Sequence, residues 1–138
     1  MIKFNSQICT TKEQSERLLK LGLNPETADC CLYPLITNPN QYLIMDRGIQ
    51  PFDTDETPAW SLHRLIGMLP QEIHLDNYVD TCYYLTIKPF CLTKVLYRQD
   101  GGCWLYGSES SNLFDAIIDV IEKVINGIYF NKEYLKEK

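Results

Sequence analysis

The sequence predicts an α+β fold, a mainly antiparallel sheet with two main helices packed on it. Three observations carry the prediction. β-rich runs at 81–88, 91–98 and 102–107 follow one another across short turns, and a strongly amphipathic stretch at 111–126 comes directly after them. The length of 138 residues favours one domain, 1–138, able to bury about two-thirds of its unfolded surface in a single core.

Taken in chain order, Thr10-Thr11 caps a helix of about eleven residues, Thr11-x-x-Gln14 resembles a capping box, and Gly22 closes it. Glu13 with Arg17 and Glu16 with Lys20 stand four apart as helix-supporting pairs, leaving Leu18, Leu19 and Leu21 to pack. Asn24-Pro25-Glu26-Thr27 opens a second short helical turn through Ala28-Asp29-Cys30, because proline suits a first turn. Short strands follow near Leu32–Leu35 and Tyr42–Met45, separated by Thr37–Asn40. The segment Asp46–Glu56, with Gly48, Pro51 and an acidic end, reads as a long loop with a mobile or packing role rather than a chemical one.

Thr57-Pro58 reads as the N-cap and first position of a helix over 57–69 that Pro70 ends, with Leu62, Leu65, Ile66 and Leu69 on its buried face. At 100° per residue Trp60 falls nearly opposite those leucines, close to Arg64 and Gly67, with His63 on the flank. Two readings follow. Trp60 stacks on the preceding loop, or Trp60, His63 and Arg64 form a partner-binding surface, where Trp and Arg are over-represented.

In the strand unit, Tyr83, Leu85 and Ile87 alternate with Cys82, Tyr84, Thr86 and Lys88, so the two sets take opposite faces. Pro89-Phe90 reads as a tight connection. Asp100-Gly101 between β-rich runs favours a two-residue turn, which sets Tyr97 opposite Trp104 and Val95 opposite Tyr106 on one face, with Leu96 opposite Leu105 on the other. The sheet is extended by 42–45 or 73–75. The last helix begins at Ser110-Ser111, carries Leu113, Phe114, Ile117, Ile118, Ile121, Val124 and Ile125 on its apolar face, and stops where Gly127 takes the left-handed cap. Asp115, Asp119, Glu122 and Asn126 form the polar stripe, read as solvated surface rather than as metal ligands. Tyr129-Phe130 pins back the tail, and Asn131 caps a final turn through Tyr134-Leu135.

Chemistry is sparse. Cysteines stand at 9, 30, 31, 82, 91 and 103 without a Cys-x-x-Cys pair, so neither zinc nor any other metal or cofactor is predicted. Cys82, Cys91 and Cys103 fall in strand positions and read as small buried hydrophobes. A nucleophilic thiol needs a base, and His63 and His74 are the histidines on offer. Phosphate-binding loops, nucleophile elbows, His-Glu-x-x-His and dinucleotide fingerprints are all missing. No apolar run is long enough to cross a membrane as a helix, the opening residues lack the layout of a secretory signal, and a cytoplasmic location is expected. The formal charge of −5 weighs against broad nucleic-acid binding.

Three blocks carry a resemblance: Thr10–Asp29, Pro58–Ile66 and Asn112–Lys123. In that order they resemble a family of small uncharacterised proteins from Bacteroides-type bacteria and their prophages or mobile elements. The resemblance implies a shared fold and a mobile-element setting, and transfers no catalytic or binding residue. The function expected from all this is a non-enzymatic interaction module, or accessory protein of a phage or mobile element, binding another protein or a second copy of itself. The alternatives are a small hydrolase or transferase with a Cys/His or carboxylate site, and nucleic-acid binding through an aromatic sheet face.

Overall fold

The computed structural model describes residues 6–38, 40–46, 55–75, 82–89, 91–99 and 102–137. The fold is α+β, with two antiparallel sheets of three and four strands. The chain forms two compact units, one ending at Leu65 and one running from Ile66 to Glu137.

The first unit opens on helix α1 (Lys12–Lys20), held at its start by the expected capping box. The Thr11 hydroxyl accepts the Gln14 N–H at 3.2 Å while the Gln14 side chain accepts the Thr11 N–H at 3.0 Å. Gly22, at φ +101°, ends it, and the N–H groups of Gly22 and Leu23 turn back to the carbonyls of Leu19 and Leu18. A 3-10 turn at Pro25–Thr27 follows, capped by Asn24. Strands β1 (Cys30–Pro34), β2 (Tyr42–Asp46) and β3 (Thr57–Ala59) then pair in the order β2-β1-β3. Of the long loop expected at 46–56, Asp46 belongs to β2, and 47–54 lie outside the described residues.

One helix boundary differs from expectation. Thr57-Pro58 does not start a helix: both residues lie in β3, an edge strand on which a proline lacking its N–H removes no ladder bond. Helix α2 (Leu62–Met68) starts three residues later than Ala59, with Ser61 as its cap; the Ser61 carbonyl accepts the Leu65 N–H and its hydroxyl accepts the Arg64 N–H. Of the two alternatives for extending the meander, the strand at 42–46 pairs with β1.

The second unit is the meander itself. Strands β4 (Glu72–His74), β5 (Cys82–Pro89), β6 (Thr93–Arg98) and β7 (Trp104–Ser110) pair in sequence order, and helix α3 (Leu113–Asn126) packs on β6 and β7. β4 supplies the extension expected at 73–75. Pro89 pairs with Thr93, so the β5–β6 connection begins after it; Phe90 lies outside the described residues.

The β6–β7 register differs from the one a two-residue turn would set. Gln99 donates to the Cys103 carbonyl at 2.9 Å, leaving three residues between them, and Gly102 takes φ +105°. Asp100 and Gly101 lie outside the described residues. The pairs are therefore Tyr97 with Leu105 and Arg98 with Trp104. Beyond them Leu96 pairs with Gly107, which leaves Tyr106 as an extra, bulged residue at φ +49°. Because cross-strand partners share a face, Tyr97 and Trp104 take opposite sides of the sheet.

α3 buries Phe114, Ala116, Ile117, Ile118, Val120, Ile121 and Val124. Its cap is Asn112, whose side chain accepts the Asp115 N–H at 3.2 Å; Ser110 instead accepts the N–H of Asn112. At the other end Gly127 is not left-handed, its φ being −81°. Ile128 takes that conformation at φ +67°, and the N–H groups of Ile128 and Tyr129 return to Ile125 and Val124. Asp119 is more than solvated surface, since it accepts the Ser108 hydroxyl at 2.8 Å. The tail follows expectation: Phe130 is buried, and Asn131 caps a 3-10 turn at Lys132–Tyr134.

Candidate functional site

Of the trio Trp60, His63 and Arg64, the last two are exposed on α2 whereas Trp60 is 0 % exposed. Trp60 precedes the helix, so the helical wheel that pointed it outward does not apply to it. Its backbone exchanges bonds with Thr10, the N–H of Thr10 reaching the Trp60 carbonyl at 2.9 Å and the Trp60 N–H reaching the Thr10 hydroxyl at 3.1 Å. The indole N–H donates to the Thr27 hydroxyl at 3.0 Å, which donates in turn to the Asn24 carbonyl. Every polar atom of this buried ring is satisfied, so Trp60 is a core anchor with no surface to offer a partner.

The thiols are distributed differently from the sequence expectation. Cys9, Cys30 and Cys31 are the buried ones, Cys82 is half-buried, and Cys91 and Cys103 are exposed. Cys91 and Cys103 lie just outside β6 and β7, in the connections, which is why a strand-based reading buried them. Burial pushes the Cys30 thiol up to about 12, with the Asp29 carboxylate adding to the effect, and burial likewise raises Cys9 and Cys31. Held as thiols in the interior, these three are poor nucleophiles.

The chemistry gathers instead on the face of the four-stranded sheet turned away from α3. The register lays three rows across it: Glu72, Tyr84, Arg98 and Trp104; Thr86, Leu96 and Gly107; and Lys88, Lys94 and Glu109. The opposite face carries Ile73, Val95 and Tyr97, all fully or almost fully buried, with the Tyr97 phenol donating to the Pro70 carbonyl at 2.7 Å. Trp104 is 64 % exposed and lies over Gly107, where a Cβ would stand 3.1 Å from the indole. It borders a shallow groove of about 540 Å³ lined by Lys88, Lys94, Leu96, Arg98 and Glu109 among others. Lys94 and Glu109 are 3.7 Å apart as an exposed ion pair.

At the β4 edge of the same face, Glu72, His74 and Cys82 converge. Glu72 and His74 are two apart on β4 and so point the same way, and His74 is the direct cross-strand partner of Cys82. His74 Nε2 lies 3.1 Å from Glu72 Oε2, Cys82 Sγ lies 3.7 Å from that oxygen, and Cys82 Sγ lies 3.8 Å from His74 Nε2. A relay would place the thiol on one ring nitrogen and the carboxylate on the other. Here both meet Nε2, so the three groups surround a point. A search for paired cysteines cannot find such a cluster; the signal that can is Glu-x-His on a strand whose register opposes a cysteine.

Comparison with protein-family models, curated proteins and solved structures gives no match.

Proposed function

We propose that the chain is a non-enzymatic interaction module, working in the cytoplasm as an accessory protein of a phage or mobile element, and that it binds another protein through the uncovered face of the four-stranded sheet. The observation that carries this reading is Trp104, a large aromatic side chain largely in solvent that lies over Gly107 and pairs across the strands with Arg98. An aromatic anchor beside an arginine, with Leu96 at the centre and charges at the rim, matches the anatomy of an interface hot spot. Lys88 and Arg98 add positive charge, so the complementary partner is a segment with apolar side chains flanked by carboxylates. The mobile-element setting rests on the resemblance of the three sequence blocks. Self-association is the other form this reading takes, and the exposed Leu43, Ile44 and Met45 of edge strand β2 suit it.

The test is selection from a random peptide library followed by titration of the chosen peptides, read by tryptophan fluorescence. Acidic-aromatic peptides should be selected, their binding should shift emission, and Trp104→Ala or Arg98→Glu should weaken them at least about tenfold while leaving the melting temperature unchanged. Selection of nothing, by a chain that is strictly monomeric in solution, sinks the reading.

A second reading is single-stranded nucleic acid, favoured by Tyr84 and Trp104 standing exposed on one face with Lys88, Lys94 and Arg98. Salt-dependent binding of labelled oligothymidylate or oligouridylate would establish it in place of the first. A Cys/His hydrolase is weaker still, because the thiol and the carboxylate meet the same imidazole nitrogen.

A further inference from the structure

We propose that Glu72, His74 and Cys82 form a zinc site with three protein ligands and an open fourth position. In a tetrahedral centre with Zn–N and Zn–O near 2.0–2.1 Å and Zn–S near 2.3 Å, ligand atoms stand about 3.3 Å apart for N and O and about 3.6 Å apart for S with either. The three separations here are 3.1, 3.7 and 3.8 Å. Each lies within about 0.2 Å of the edge of such a tetrahedron. One ligand atom from each of the three side chains lies within 4.8 Å of the other two with the rotamers as they stand.

The scaffold explains why the triangle is held. Two of the ligands stand on alternate positions of one strand and the third sits directly across from the second, so pleat and register fix all three. Ligand chemistry selects the ion: thiolate, imidazole and carboxylate together suit a borderline ion such as Zn(II), whereas Mg(II) and Ca(II) require an oxygen cage. Coordination displaces the thiol proton to solvent, the thiolate then bonding the ion. Glu72 and His74 are exposed, so the ion reaches the site from water and the fourth position takes a water or a side chain of a bound partner. The inference does not depend on what the neighbouring groove binds.

The test is competition between the full chain and a chromophoric chelator for Zn(II) at neutral pH, with Co(II) as a spectroscopic substitute. One equivalent should bind with micromolar or tighter affinity, and Co(II) should give a thiolate charge-transfer band with the intense visible bands of a tetrahedral ion. Cys82→Ser, His74→Gln and Glu72→Gln should each weaken Zn(II) at least about tenfold and Cys82→Ser should abolish the thiolate band, with melting curves of the metal-free proteins showing that each variant folds. Cys91→Ala and Cys103→Ala should change neither. Millimolar affinity, a Co(II) spectrum without the thiolate band, or binding that follows Cys91 or Cys103 overturns the proposal. Should a Cys82 variant fail to fold, the Glu72 and His74 variants decide it alone.

Discussion

The phenol of Tyr106 occupies the space a side chain on Gly127 would need: the ring carbon bearing the hydroxyl lies 2.8 Å from where a Cβ would stand. The glycine that ends α3 is therefore required by close approach and not by its own backbone angle. The left-handed residue of the cap falls one position on, at Ile128, where a β-branched side chain is strained. Gly127→Ala should cost about 1–3 kcal/mol by displacing a rigid ring. Ile128→Gly, in contrast, should stabilise by about 1 kcal/mol, since Ile128 is exposed and loses only strain. Urea denaturation of the two variants checks both signs, and equal destabilisation by the two would contradict the account.

Trp60→Ala should cost about 3–5 kcal/mol, because it empties the largest fully buried side chain of the first unit. Trp60→Phe should cost less and report chiefly the lost bond to Thr27. Thermal melts distinguish this from a surface role, in which neither substitution would move the midpoint.

Asp29 accepts both the backbone N–H and the hydroxyl of Ser61, the residue that caps α2. Asp29→Ala removes a charged acceptor from two donors at once, and a loss of about 2–3 kcal/mol is expected. Ser61→Ala removes one of those bonds and the cap, and the double variant should be far from additive. Additive losses would mean that the two side chains act independently.

Alkaline pH should destabilise the fold through its buried thiols and Tyr97. Cys30, raised to about 12, together with Cys9, Cys31 and Tyr97, all raised by burial, is neutral when protonated. The folded chain keeps these protons while the unfolded chain releases them, so stability is full below the ordinary thiol value of about 9 and falls as pH rises above it. Denaturation midpoints measured between neutral pH and about 11 should decline above 9, and Cys30→Ala should flatten that decline. A midpoint that rises over this range would show the sign to be wrong.

Much of the fold is legible along the chain because it is written in local chemistry. The Thr11–Gln14 capping box, Gly22, the cap at Asn131 and the alternation of β5 need only near neighbours, and all stand as read, whereas the turn expected through Ala28-Asp29-Cys30 stops at Thr27 because Cys30 is taken up by β1. The apolar face of α3 is likewise local, and Ile117 and Ile121 are fully buried. What was not legible depends on distant groups. Pro58 belongs to a strand because β1 lies beside it, and Gly127 is needed because Tyr106 reaches it across the fold. The candidate site shows the same division. Tyr84 and Lys88 were assigned to one face from alternation alone. A two-residue turn puts Trp104 on the side of Tyr97, and the one further residue between Gln99 and Cys103 reverses that. Neither surface motif, the Trp104 groove nor the Glu72–His74–Cys82 triangle, has a linear signature, since each is assembled by register.

The connection between β6 and β7 sets the side on which the first residues of β7 fall. With three residues between Gln99 and Cys103, Trp104 faces outward and Leu105 inward; with one fewer, the two would exchange places. A substitution on the outer rows leaves the two faces where they are, whereas a one-residue insertion or deletion in the connection reverses them locally.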